Sequence, residues 1–220
     1  RHERPAMKLY SHEESGNSYK VRLLLSFLEI PCEIANVDLL QDAQHQPAFL
    51  AINPRGEVPA LVDGDLVLRD SAAILLYLAS KHGADRWWSR ELAVQAQIVE
   101  WLAFAASWVQ YGVFTARAMI SFGIPANGLP ADFQDNLDAA KIRGGRSLDI
   151  LDAHLKGNDW LVAQRPTIAD IAVFPYVALS PMGDISLQPY PAIGAWITRF
   201  KQLPSFIAIA GLDDPNYRKG

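Results

Sequence analysis

Hydrophobic and polar positions change their period along the chain, and the changes define its elements. Lys8 to Ser11 reads as a short strand, and Ser18 to Ile30 (SYKVRLLLSFLEI) carries apolar residues at helical spacing until Pro31 stops it. Cys32 to Val37 predicts the next strand, and Gln46 to Ile52 a short helix closed by Asn53-Pro54. Val58 to Val62 and Leu66 to Leu68 flank Asp63-Gly64, a strong hairpin signal. Asp70 is placed to cap a helix from Ser71 to His82, with Gly83 placed to take the left-handed conformation after it. The order is βαβ, helix, ββα. Strand signals then fade, and Glu91 to Phe122, Ala131 to Leu155, Ile168 to Leu179 and Ile193 to Ala210 all read as helices. This predicts an α/β domain over 7–83 and an all-helical domain over 91–215. Gly144-Gly145 interrupts the second of the later helices, where it permits either close packing or a bend.

Composition narrows the function classes. Apolar residues make up 50% of the 220, charged residues 20%, and 20 basic against 24 acidic side chains give a net charge of −4. The sign is wrong for phosphate-backbone binding, so nucleic acid is not expected as a partner. One cysteine, Cys32, excludes an internal disulfide, and the five histidines never fall at zinc-ligand spacing, so no metal is expected. The longest uncharged stretch, Trp101 to Ala116, falls short of the roughly 20 apolar residues of a membrane span, which predicts a chain without a membrane segment. Residues 1–6 lack the apolar core of a secretory signal and read as a leader or tag, and the address expected is cytoplasmic.

Three places can carry chemistry. Ser15-Gly-Asn17-Ser18 puts hydroxyl and amide groups at a helix start, where unpaired N–H groups and the positive dipole end favour an anion; the same residues are ordinary caps. Val58-Pro59 opens a strand, where a proline leaves edge backbone able to pair with an extended ligand. Asp70-Ser71 combines a carboxylate for an ammonium with a hydroxyl and helix N–H groups for a carboxylate, and again simple capping fits. In the helical half, Trp101, Phe104, Trp108 and Tyr111 form an aromatic stripe on a helix with only two charges between Leu92 and Phe122, Glu100 and Arg117. Core packing and a ligand pocket both use such a stripe.

These features occur in a specific order: LYS..ESGNSYKVRLLLSFLEIP, then FLAINPRGEVPALVDGDLVLRDSAAILLYLASKHG, then WLVAQRPTIADIAVFPYVAL. In this order the chain resembles a cytosolic glutathione transferase over essentially Met7 to Phe206, with Thr167-Ile-Ala-Asp170 matching the family's helix-starting capping box. The resemblance implies a thioredoxin-like first domain that binds glutathione as co-substrate and a helical second domain that supplies the pocket for a small hydrophobic electrophile or peroxide. It implies detoxification chemistry and a homodimer.

Carried over, Val58 pairs with the cysteinyl unit next to a cis Pro59, and Asp70 with Ser71 holds the γ-glutamyl end. A zeta-like alignment puts Ser15 at the catalytic serine, whereas a beta-like alignment puts Asn17 where a cysteine would sit; these are the two catalytic candidates. Gln44 or His45 falls near the glycine end, and Trp108, Phe114 and Arg117 face the electrophile pocket. Two departures place acid near an anionic ligand: Glu13-Glu14 before Ser15, and Glu57 before Val58, with Arg55 as the nearby cation. They favour an alternative, a glutathione-binding or regulatory protein of the same fold with little catalysis.

Overall fold

The computed structural model describes residues 7–124 and 133–219; the leader at 1–6 and the first residues of the helix expected from Ala131 lie outside them. Four strands, β1 (Lys8–Ser11), β2 (Glu33–Asn36), β3 (Ala60–Asp63) and β4 (Leu66–Leu68), form one mixed sheet in the order β2-β1-β3-β4. β1 runs parallel to β2, pairing Lys8 with Glu33, and antiparallel to β3, pairing Tyr10 with Ala60. β3 and β4 close the hairpin over Gly64, whose φ of +62° suits a residue without a side chain. Helices α1 (Gly16–Phe27), α2 (Pro47–Leu50) and α3 (Ser71–His82) accompany the sheet. This is the thioredoxin-like arrangement expected, and β1 delivers the chain into the start of α1.

Helix α1 begins two residues before the predicted start, because Ser15 caps it. Gly83 is not left-handed: its φ is −140°. A Cβ there would lie 2.8 Å from the end of the Leu28 side chain, so α3 packs closely on the end of α1 at this glycine.

The second domain is helical: α4 (Leu92–Phe104), a π-helical stretch (Ala105–Phe114), α5 (Thr115–Phe122), α6 (Phe133–Leu155), α7 (Ile168–Ala178) and α8 (Pro191–Lys201). The first three form one continuous run, Leu92–Phe122, of 31 residues, with an 18-residue window of mean hydropathy 1.3, enough by length and composition alone to cross a bilayer. The sequence expectation counted only uncharged residues and missed it. Here the run packs on α6 and α7. The wider π turn shows in Thr115, whose hydroxyl donates to the Gln110 carbonyl five residues back at 2.7 Å. Helix α8 stops at Lys201, short of the expected Ala210, because Pro204 cannot continue it, and Phe206 folds back onto Phe174 and Phe200.

Helix α6 runs unbroken through Gly144-Gly145, which permits close packing: a Cβ on Gly112 would lie 2.8 Å from the Gly144 backbone. Helix α7 is buried along its whole length and starts at the Thr167–Asp170 capping box. The Asp170 carboxylate accepts from the Thr167 and Leu161 N–H groups and from the Trp196 indole, all within 3.1 Å. That network fixes the direction in which α7 approaches the first domain.

Candidate functional site

The two domains meet at the start of α1. Ser15 is its N-cap and accepts from the Ser18 N–H at 3.1 Å, while the Ser18 hydroxyl accepts from the His12 N–H at 3.2 Å. The next backbone donor is also taken: the Asn17 N–H donates to the hydroxyl of Tyr176, on α7, at 2.9 Å. Gly16 is required there, since a Cβ would lie 2.4 Å from the Tyr176 ring. Ser15 and Asn17 therefore stand together around a tyrosine contributed by the other domain. The pole read from sequence as unpaired N–H groups is partly filled by protein oxygen.

The second cluster lies in the segment that leads into β3, an interior strand of the sheet. Val58-Pro59 is a cis peptide, as the resemblance implied. Buried Asn53 shapes the loop, donating from its amide to the Glu57 carbonyl at 2.7 Å and accepting from the Arg55 N–H at 3.0 Å. His45 packs on Gly56, and its Nδ1 lies 2.5 Å from the Asp42 carboxylate. The Gln44 carbonyl oxygen also borders Gly56, and its side-chain Oε1 is buried without a hydrogen-bond partner among the described residues. Exposed Asp70 caps α3 through one carboxylate oxygen, accepting from the Ala72 and Ala73 N–H groups at 2.9 and 3.2 Å, and Ser71 follows as the first helical residue. The cis peptide leads into β3, and a carboxylate and a hydroxyl stand at the start of α3.

The glutathione S-transferase N-terminal domain pattern matches residues 5–80, and the C-terminal domain pattern of the same family matches 110–204. The chain belongs to the glutathione S-transferase family. It is 30% identical over 197 residues to the disulfide-bond oxidoreductase YfcG of Escherichia coli, covering 86% of this chain and 87% of that one. A glutathione S-transferase structure from Pseudomonas fluorescens superposes with a TM-score of 0.85 at 30% identity, covering 93% of this chain and 99% of the other. A glutathione transferase family member from the same organism, solved with two glutathione molecules bound, superposes with a TM-score of 0.79 at 27% identity, over 91% and 90% of the two chains. Membership makes this chain a glutathione transferase, an enzyme that activates the glutathione thiol.

In this glutathione transferase one of the acidic departures, Glu14, is compensated by a charged partner. The Glu14 side chain pairs with Arg218 in the C-terminal tail, and that bond, with Arg117 and His12 nearby, holds its carboxyl below the usual range against the opposing effect of burial. Arg117 also donates to the Glu14 carbonyl at 3.0 Å. Glu13 is exposed and Arg22 binds its carbonyl at 2.9 Å. Glu57 is exposed, with Arg55 at 3.8 Å.

The three residues expected in the electrophile pocket separate. Phe114 meets Tyr176 edge-on with centroids 4.7 Å apart, and buried Arg117 lies over Phe122 and Tyr176, so both border the start of α1. Trp108 instead faces α6, under Arg143 at 4.2 Å, and lines a cavity of about 450 Å³ with Tyr111 and Arg146.

Sequence reasoning missed Tyr176 and Lys20. Both have the same signal, a polar group inside an apolar helix. Tyr176 carries the hydroxyl in IADIAVFPYVA, and Lys20 is a charge buried between apolar neighbours, its Nζ 5.2 Å from the Tyr176 ring. Burial pushes the Lys20 ammonium down to about 8, partly offset by the charge of Asp70.

Proposed function

We propose that glutathione lies extended along the first domain, with its γ-glutamyl end at Asp70 and Ser71, its backbone paired to Val58 beside Pro59, its glycine end near Gln44 and His45, and its sulfur at Ser15 and Asn17. The observation that carries this reading is the convergence at one helix start of a hydroxyl, an amide, paired N–H groups and two buried cations, Lys20 and Arg117. A thiol of pKa about 8.5 is only a few per cent ionised at pH 7; lowering it by about two units takes about 2.7 kcal/mol of differential stabilisation. A helix terminus with charge-assisted hydrogen bonds supplies that magnitude. The thiolate then attacks a small hydrophobic electrophile or a peroxide held against Phe114 and Arg117.

The proposed enzyme works in the cytoplasm, in detoxification, as a homodimer. Leu76, Leu92 and Val99 are 37%, 81% and 45% exposed, and with Trp88 and Ala96 they border a shallow apolar groove between α3 and α4 that suits a second copy. Calorimetry tests the glutathione site. Ser71→Ala removes a donor to a ligand carboxylate, and the expected loss is about 1.5–3 kcal/mol of binding. Unchanged affinity in the Asp70→Ala, Ser71→Ala double variant contradicts the assignment.

A further inference from the structure

Tyr176 is the group at this site whose hydrogen bonding is incomplete. It is 3% exposed, and its oxygen accepts from the Asn17 N–H at 2.9 Å, with the Gly16 N–H and the Ser15 hydroxyl also bearing on it. Beyond these N–H groups and the neighbouring Ser15 hydroxyl, the Tyr176 hydroxyl has no further side-chain or backbone partner among the described residues. A buried O–H left in that state is costly unless a ligand supplies the acceptor. The surroundings specify the ligand's sign. Lys20 and Arg117 stand 5.2 and 5.9 Å from the ring centroid, and the Arg117 Nε is a buried donor without a partner among the described residues. Glu14, the acid of this corner, is engaged by Arg218.

We propose that Tyr176, from the helical domain, is a catalytic residue that donates its hydroxyl to the glutathione sulfur, with Ser15 and the first turn of α1 fixing the phenol oxygen behind it. This rests on the glutathione site proposed above. The thiol proton leaves to solvent, the sulfur keeps the electron pair, and Tyr176 keeps its own proton while stabilising the charge. Burial suits the phenol to this task, pushing it up to about 12 in spite of Arg117 and the N–H groups, so it remains a donor across the working range of a thiol. Its position is fixed by the close seat on Gly16 and the edge contact with Phe114. The sulfur would then be held by groups from both domains, coupling thiolate formation to their docking.

Two readouts separate this proposal from the one beneath it. Binding of S-methylglutathione, measured by calorimetry, reports the glutathione site alone, and Tyr176→Phe should leave it within about threefold of wild type. Thiolate absorbance of bound glutathione against pH reports the sulfur's partner. Tyr176→Phe should raise the apparent thiol pKa by about one unit or more, a tenfold or greater fall in thiolate at low occupancy. Replacing Tyr176 with a ring-fluorinated tyrosine, a stronger donor of nearly the same shape, should move the pKa the other way and decides the matter if the phenylalanine variant does not fold. Retained S-methylglutathione binding with a thiol pKa moved by neither substitution overturns the role of Tyr176. Failure of the wild type to bind S-methylglutathione overturns the glutathione site and this role with it.

Discussion

Lys20 shows how much one buried charge can set. Its side chain is 5% exposed, faces the charge of Asp70 and the ring of Tyr176, and carries an ammonium lowered to about 8. Free lysine titrates near 10.4, so between about pH 8 and 10.4 the unfolded chain holds a proton that the folded chain has lost, and the contribution of Lys20 to stability rises with pH across that window. Below about pH 8 the ammonium is charged in both states, so the full cost of burying the charge is present and no longer changes with pH. Ligand binding runs the other way, because an anion favours the charged form. Affinity for S-methylglutathione, whose sulfur does not ionise, is therefore expected to fall more steeply above about pH 8 in the wild type than in Lys20→Met. At pH 7 the variant should bind about three- to tenfold more weakly, as fits the loss of one partly screened charge. Calorimetry from pH 6 to 9.5 checks both; parallel profiles would exclude Lys20 from the site.

Among the elements, the π-helical stretch crosses α6 in a close backbone-to-backbone approach. Gly112 and Gly144 meet with no room for a side chain, whereas a Cβ on Gly145 would have nothing within 4 Å. Gly112→Ala must push the helices apart and should cost about 1–3 kcal/mol, while Gly145→Ala, in an open helical position, should be neutral or stabilising by up to about 1 kcal/mol. Thermal unfolding of the two variants tests the pair, and equal effects would contradict the packing described. The sequence marked Gly144-Gly145 as a place of close packing or bending, but periodicity cannot show which helix lies opposite. It also marked Trp101, Phe104, Trp108 and Tyr111 as one stripe on the assumption of 3.6 residues per turn. The π turns between Ala105 and Phe114 alter that phase, so Trp108 looks toward α6 while Phe114 reaches Tyr176.

At the scale of the whole molecule, what local pattern controls was readable in advance. The βαβ, helix, ββα order, the helical second domain, the caps at Ser15, Asp70 and Thr167, and the hairpin at Gly64 follow from period, turn chemistry and capping. What depends on two distant segments meeting was not readable. Tyr176 lies 159 residues from Asn17, and Arg218 lies 204 from Glu14, so neither the filling of the α1 pole nor the neutralising of the acid beside it has a local sign. The proposed homodimer is of the same kind, since its evidence is exposed apolar surface on α3 and α4. Val99→Glu is expected to halve the mass seen by sedimentation at micromolar concentration, and a wild type that already sediments as a single chain would contradict it.

The central claim is that this fold turns a weakly acidic thiol into a thiolate at the start of α1. Ultraviolet titration of glutathione bound to the wild-type protein tests it most directly. An apparent thiol pKa about two units below that of free glutathione is the result the site's cations and donors predict. Bound glutathione whose thiol titrates as it does in water would contradict the claim.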